Sequence, residues 1–287
     1  MPKLADFKTD AKSWWCAGCG DFGVLAALQR ALVNLGKNPH EVALVAGIGC
    51  SGKIGNYINC YNFHVVHGRT LPTAMGIKLA NRDLTVLAAG GDGDAYAIGM
   101  GHFLHAVRRN PDITYIVMDN HVYGLTKGQT SPTSDRGFKS KSQAVPNADR
   151  PVRPLQLAIA AGATFVAQGF SGDVKQLASL IERGIEHRGF ALINCISPCV
   201  TFNKVNTYDF YRESLVQVDE IPGYDRTDRA KALKALIDHD DLVTGLIFES
   251  DEAPFEEGLS GFPAEPIAAS NLAVPVVELE RIAARMR

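Results

Sequence analysis

The sequence predicts an α/β fold: a parallel sheet with helices on both faces, followed by a C-terminal extension. Three observations carry this expectation. Short, continuous apolar runs, the mark of strands buried on both sides, recur along residues 1–200. Stretches with helical spacing separate them, and elements alternating in this way close into a parallel sheet through right-handed crossovers. Finally, Gly- and Asp-containing turns stand where several of the apolar runs end, the positions at which open α/β sheets keep their ligands.

In chain order, residues 22–35 space their apolar side chains as a helix and stop at Gly36. Residues 42–46 form the first strand, and a second helix is expected around 73–80. Residues 84–89 are the next strand, which Gly90 and Gly91 end with backbone free of Cβ. A helix over 96–109 and a strand over 113–118 complete a β-α-β unit. Residues 128–154, rich in Ser, Lys, Asp and Pro without periodicity, read as a long functional loop. A helix near 155–161, a strand at 164–167, a helix near 174–187 and a strand at 190–196 follow. The main domain is thus expected over 1–200. Beyond Thr201 the chain turns to Tyr and acidic clusters, with helices around 229–237 and 276–286. Residues 201–287 are expected as an extension packed on the core or on a partner. No internal repeat is evident.

With 287 residues, 46% apolar side chains and a net charge of −2, the chain has material for a full globular core. It has no apolar run of the roughly 18 residues that suggest a membrane helix. The segment Met1-Pro2-Lys3-Leu4-Ala5-Asp6 lacks the apolar centre of a signal peptide, so the cytoplasm is expected. A near-neutral balance without basic tracts argues against a nucleic-acid partner.

The most informative feature is Gly91-Asp92-Gly93-Asp94 at the end of one strand, paired with Asn120 at the end of the next. Parallel strands of one β-α-β unit bring Asp92 and Asn120 to the same edge of the sheet. Mg²⁺ takes hard oxygen ligands, commonly one or two carboxylates together with substrate phosphates. Asp92 offers a carboxylate, Asn120 an amide oxygen, and the turn His121-Val122-Tyr123-Gly124 a carbonyl. Taken alone, GDGD reads better as a strand-to-helix turn with Asp as the helix cap, a common arrangement.

The full spacing resembles the signature of thiamine diphosphate enzymes, GDG followed at a distance by NN. Here Asp119 replaces the first Asn. In that family the second Asn and the backbone carbonyl two residues later bind the metal. The resemblance therefore implies Asp92, Asn120 and the carbonyl of Val122 as Mg²⁺ ligands.

Six cysteines in a cytosolic chain are expected as ligands or buried thiols. Cys16 and Cys19 form a C-x-x-C before the first helix, Cys50 follows the first strand, and Cys199 follows the strand at 190–196. These four could converge on one edge of the sheet. Cys195 lies inside a strand and Cys60 carries no loop signal, so both read as packed thiols. Four thiolates suit either Zn²⁺ or an iron–sulfur cube. A position for Cys50 facing the diphosphate favours a redox cluster, because structural zinc gains nothing there.

Trp15-Cys16-Ala17-Gly18-Cys19-Gly20, Gly47-Ile48-Gly49-Cys50-Ser51, His67-Gly68-Arg69, Gly91-Asp92-Gly93-Asp94, Tyr123-Gly124-Leu125-Thr126-Lys127-Gly128-Gln129 and Ser197-Pro198-Cys199 together resemble, in that order, the β subunit of 2-oxoacid:ferredoxin oxidoreductases. The match spans about residues 12–205. It implies the thiamine diphosphate-binding fold and one [4Fe–4S] cluster on Cys16, Cys19, Cys50 and Cys199. It also implies cofactor contacts from Ile48, Gly49, Cys50, Ser51, His67, Gly93, Asp94, Gly124 and Leu125. An α subunit is implied, carrying the carboxylate that activates the cofactor and the coenzyme A site, with ferredoxin as electron acceptor. The form Tyr-Gly-Leu-Thr-Lys-Gly-Gln, which 2-oxoglutarate-using members tend to carry, points to 2-oxoglutarate over pyruvate. Lys127, and with it Lys53, is then expected to meet substrate carboxylates; an isolated loop lysine would read as solvated.

Two further patterns fail at required positions. Gly18 to Gly23 matches G-x-G-x-x-G, but no apolar strand precedes it. Gly47 to Lys53 matches a P-loop, but the next residue is Ile54, which has no hydroxyl for Mg²⁺. Two alternatives from other classes stay open: a non-oxidative thiamine-dependent decarboxylase half with structural zinc, and a subunit that binds only the cluster.

Overall fold

Period-two alternation along buried strands sorts their side chains onto two faces, and the cores on those faces show which helices cover each. The computed structural model describes residues 1–287 except 261, 262, 264, 272 and 287. Among the described residues the strands are β1 (Val42–Ala46), β2 (Tyr61–His64), β3 (Thr85–Gly91), β4 (Ile113–Asp119), β5 (Phe165–Phe170), β6 (Phe190–Ile196), β7 (Val216–Gln217) and β8 (Val243–Glu249). The helices are α1 (Asp21–Asn34), α2 (Ile54–Tyr57), α3 (Thr70–Ala80), α4 (Met100–Arg109), α5 (Pro154–Ala160), α6 (Val174–Glu186), α7 (Tyr208–Ser214), α8 (Arg229–Asp238) and α9 (Val276–Arg285).

Leu44, Leu87, Ile116 and Ile193 point to one face, where Val24 and Leu28 of α1 and Leu177 and Ile181 of α6 pack on them. Their neighbours Val45, Ala88, Val117 and Leu192 point to the other, against Leu71 of α3, Phe103 and Val107 of α4, Leu155 of α5 and Leu236 of α8. This is the parallel sheet covered on both faces that the apolar runs predict. The strand order is β2-β1-β3-β4-β6-β5-β8-β7. The first six are mutually parallel, and β8 runs antiparallel to β5.

Several elements differ from the sequence expectation. The edge strand β2 is exposed along its whole length, so it has no buried run to betray it. The sheet does not stop near residue 200, because β8 is buried and α8 places Ala232 and Leu236 in the core. The tail after β8 ends in α9, none of whose residues is buried. The expected helix 96–109 is divided, with a π-helical turn, Asp94–Ile98, before α4. At the junction, a methyl group on Gly99 would lie 2.3 Å from the carbonyl oxygen of Asp94, and turns of this kind gather at functional sites. No helix among the described residues is long and apolar enough to cross a membrane.

After β1 the chain lays β2 on one side and then returns to lay β3 on the other. This reversal opens a crevice at the carboxyl ends of the strands. The neighbours β1, β3, β4 and β6 lead at those ends into Cys50, Asp92, Asn120 and Cys199.

Candidate functional site

Gly91 of β3 pairs with Met118 of β4, so the next residues, Asp92 just past β3 and Asp119 at the end of β4, stand side by side at the carboxyl edge of the sheet. Asp92 is buried, and its Oδ2 accepts hydrogen bonds from Ser131 Oγ and, at 2.8 Å, from Thr133 Oγ1. Burial first, and Asp119 second, push the Asp92 carboxyl up to about 7. At His121, burial is the largest influence and lowers the imidazole, but Asp119, Asp92 and Asp135 outweigh it and hold the ring above its usual value. Asn120 Oδ1 accepts from the Val122 backbone N–H at 3.0 Å, which turns the chain sharply after β4.

A cavity of 140 Å³ lies at this edge, lined among others by Asp92, Gly93, Asn120, Val122, Gly124 and Leu125. Ile48, Gly49, Cys50, Ser51, His67 and Asp94 complete the expected cofactor contacts around it. Asp94 ties its walls together. Asp94 Oδ1 accepts from Ile48 N at 3.0 Å, Gly68 N at 2.9 Å and His67 Nδ1 at 2.6 Å, and Oδ2 accepts from Thr70 Oγ1 at 3.0 Å. Its carboxylate is therefore used inside the protein. The loop after β1 is equally constrained: a methyl group on Gly47 would lie 2.2 Å from Asp94 Oδ2.

The residues fit a metal-bound diphosphate. Both hydroxyl donors approach Asp92 Oδ2, and Oδ1 has no hydrogen-bond partner among the described residues. A carboxylate oxygen, an amide oxygen and a peptide carbonyl around one cavity form the hard-oxygen set that Mg²⁺ prefers.

The cysteine loops meet next to this cavity. The Cys16–Cys19 turn is closed by a 3.0 Å backbone hydrogen bond, and Gly20 N donates to Pro198 O at 3.1 Å. A methyl group on Gly20 would lie 2.6 Å from Ser197, so only glycine lets these loops approach so closely. Asp21 is buried and accepts from Ser197 Oγ at 2.6 Å, while its Oδ2 has no partner. Burial pushes its carboxyl up to about 6. A methyl group on Gly124 would sit 3.5 Å from Cys50 Sγ and 3.7 Å from Cys199 Sγ. Burial, then the charge of Asp21, pushes the Cys50 thiol up to about 12, and the same two influences raise Cys19. Among the described residues, no three Cys, His, Asp or Glu side chains converge closely enough for one metal ion. Cys195 is fully buried in the core, and Cys60 packs against its edge.

Neither expected substrate lysine lines the 140 Å³ cavity. Lys53 Nζ lies 5.9 Å from the ring centre of exposed Trp14. Lys127, in the left-handed region at φ 79°, borders a separate 360 Å³ cavity with Phe138, Lys139, Lys141, Phe202 and Lys204. Sequence reasoning overlooked Ser131 and Thr133, whose one signal is a cluster of hydroxyls, Ser131-Pro132-Thr133-Ser134, in a loop without periodicity. It also overlooked Asp21 and Thr70.

Residues 44–195 match the family model described as thiamine pyrophosphate enzyme, C-terminal TPP binding domain. Residues 199–263 match the model for the C terminal of the pyruvate ferredoxin oxidoreductase beta subunit. The chain is 42% identical over 282 residues to the beta subunit of 2-oxoacid:ferredoxin oxidoreductase 2 of Aeropyrum pernix, covering 93% of this chain and 91% of that one. It is 41% identical over 215 residues to the 2-oxoglutarate synthase subunit KorB of Archaeoglobus fulgidus, covering 72% and 80%. In structure it is similar to the 2-oxoglutarate:ferredoxin oxidoreductase from Magnetococcus marinus with 2-oxoglutarate, coenzyme A and succinyl-CoA bound. That match has a TM-score of 0.90 at 36% identity and covers 98% of this chain and 96% of the other.

Proposed function

Because the chain belongs to the β subunits of the 2-oxoacid:ferredoxin oxidoreductases, we propose that it carries Mg²⁺-bound thiamine diphosphate and one [4Fe–4S] cluster in a 2-oxoglutarate-oxidising enzyme. The observation that carries the reading is the meeting of two ligand sets at one sheet edge, with Gly124 between the cavity and the sulfurs of Cys50 and Cys199. A β subunit works with an α subunit, and here the partner supplies the carboxylate that activates the cofactor and the contacts for coenzyme A. Similarity to KorB and to an enzyme with 2-oxoglutarate and succinyl-CoA bound supports 2-oxoglutarate as the substrate.

When bound, thiamine diphosphate supplies the carbon nucleophile for the 2-oxo group and the electron sink for decarboxylation. The rest is done by this chain. Asp92, Asn120 and the Val122 carbonyl would hold the metal, which would neutralise the charge of the diphosphate. Asp94 fixes the Ile48 and Gly68 backbone N–H groups and the His67 ring, so the cavity walls are set before the cofactor enters. Since a carboxylate only accepts, His67 Nδ1 carries the proton, and the ring's other nitrogen is left for the cavity. Cys16, Cys19, Cys50 and Cys199 would hold the cluster, which would supply one-electron transfer toward ferredoxin.

The test is anaerobic purification with the α subunit, followed by visible and EPR spectra before and after addition of 2-oxoglutarate with coenzyme A. A brown complex whose cluster is reduced only with substrate supports the reading. A colourless, zinc-containing complex overturns the electron-transfer half of it.

A further inference from the structure

Two side chains that the reaction itself does not use converge on the proposed magnesium site. Thr133 is 2% exposed, and its hydroxyl lies 2.8 Å from Asp92 Oδ2 and 2.7 Å from Asp119 Oδ1. Ser131 Oγ donates to the same oxygen of Asp92. A free carboxylate can rotate about its last torsion and present either oxygen. Thr133 has one proton to share between Asp92 Oδ2 and Asp119 Oδ1, and Ser131 donates to Asp92 Oδ2 as well; with both hydroxyls against Oδ2 that torsion is set, and Oδ1 is the oxygen left to bind an ion.

The same segment also holds the other half of the ligand set. Thr133 O accepts from His121 Nδ1 at 2.6 Å, and Ser134 Oγ donates to His121 O at 2.6 Å. His121 stands between Asn120 and Val122 with φ 58°, a left-handed conformation that a residue with a Cβ keeps only when its surroundings hold it. Residues 131–134 therefore clasp both chain ends that bracket the metal, one from β3 and one from β4.

We infer that Thr133 is the positioning residue of the magnesium site, orienting Asp92 through its hydroxyl and the Asn120–Val122 turn through its carbonyl. The inference rests on Asp92 being a metal ligand. Deleting the hydroxyl removes only the first of these two actions, so the two can be separated. Thr133→Val keeps the shape and the carbonyl, and Thr133→Ser keeps the hydroxyl.

The experiment uses the αβ complex, stripped of cofactor by a chelator, and measures thiamine diphosphate binding by tryptophan fluorescence as Mg²⁺ is titrated. Thr133→Val is expected to raise the Mg²⁺ concentration for half-saturation roughly 10- to 100-fold, the usual effect of losing a partner of a metal ligand. Iron content should be unchanged, and Thr133→Ser should restore most of the affinity. Should Thr133→Val fail to assemble, Ser131→Ala removes the second donor to the same oxygen and is expected to shift the titration in the same direction. An unshifted titration in the assembled variant overturns the inference. Asp92→Asn is measured in parallel. If it loses binding while Thr133→Val does not, the positioning role fails and the magnesium reading survives. If Asp92→Asn also binds normally, both fail.

Discussion

The indole nitrogen of Trp15 donates a 2.7 Å hydrogen bond to the backbone carbonyl of Cys50. This single contact joins the loop that carries Cys16 and Cys19 to the loop that carries Cys50. The ring is held edge-on by Phe22 and Tyr57, with centroids 5.1 and 4.7 Å away. Trp15→Phe keeps an aromatic ring between these neighbours and removes the donor. It is expected to cost about 1 kcal/mol, the net worth of a hydrogen bond, measured by denaturant unfolding, and to speed loss of iron under a chelator. Unchanged iron retention would remove Trp15 from the organisation of the thiol loops.

The six cysteines should divide into two groups. Serine at Cys16, Cys19, Cys50 or Cys199 is expected to deplete iron and acid-labile sulfide in the purified complex. Cys60→Ala and Cys195→Ala should retain both, since Cys195 is packed in the apolar core and Cys60 against it. Iron lost from Cys60→Ala, or kept in Cys50→Ser, would contradict the ligand assignment.

Asp94→Ala orphans two backbone N–H groups and the Thr70 hydroxyl in buried or half-buried surroundings. Each orphan costs about 1–3 kcal/mol, so a loss of at least ~2 kcal/mol is expected in equilibrium unfolding, together with weaker cofactor binding. A variant as stable as the parent would mean that water replaces the carboxylate at no cost.

Lys127→Ala addresses substrate choice. The side chain borders the 360 Å³ cavity away from the proposed cofactor, so a role with the distal carboxylate requires the assembled enzyme. With that role, kcat/KM for 2-oxoglutarate should fall roughly tenfold, about 1.4 kcal/mol in transition-state binding, and that for pyruvate much less. Equal losses for both substrates would remove Lys127 from recognition.

The sheet was legible where burial writes itself into composition. The strands β1, β3, β4 and β6 are buried over nearly their full length and read as apolar runs. Their ends placed Cys50, Asp92, Asn120 and Cys199 along one edge. The edge strand β2 could not be read this way, because Tyr61, Asn62, Phe63 and His64 are all exposed. In β8 the run is interrupted by Thr244 and Gly245, and Gly245 takes φ 119°. Ser131 and Thr133 were illegible for a different reason. Their meaning comes from hydrogen bonds to Asp92, 39 and 41 positions away, and local pattern holds no trace of a contact made by a loop returning over the site.

Gly124 has a consequence beyond close packing. It borders the cavity on one side, and on the other the space of its missing side chain is within van der Waals distance of the sulfurs of Cys50 and Cys199. With the proposed cofactor and cluster in place, this single turn of backbone would be the barrier between them. A bulkier residue at 124 would thicken that barrier and slow cluster reduction even with every ligand still in place.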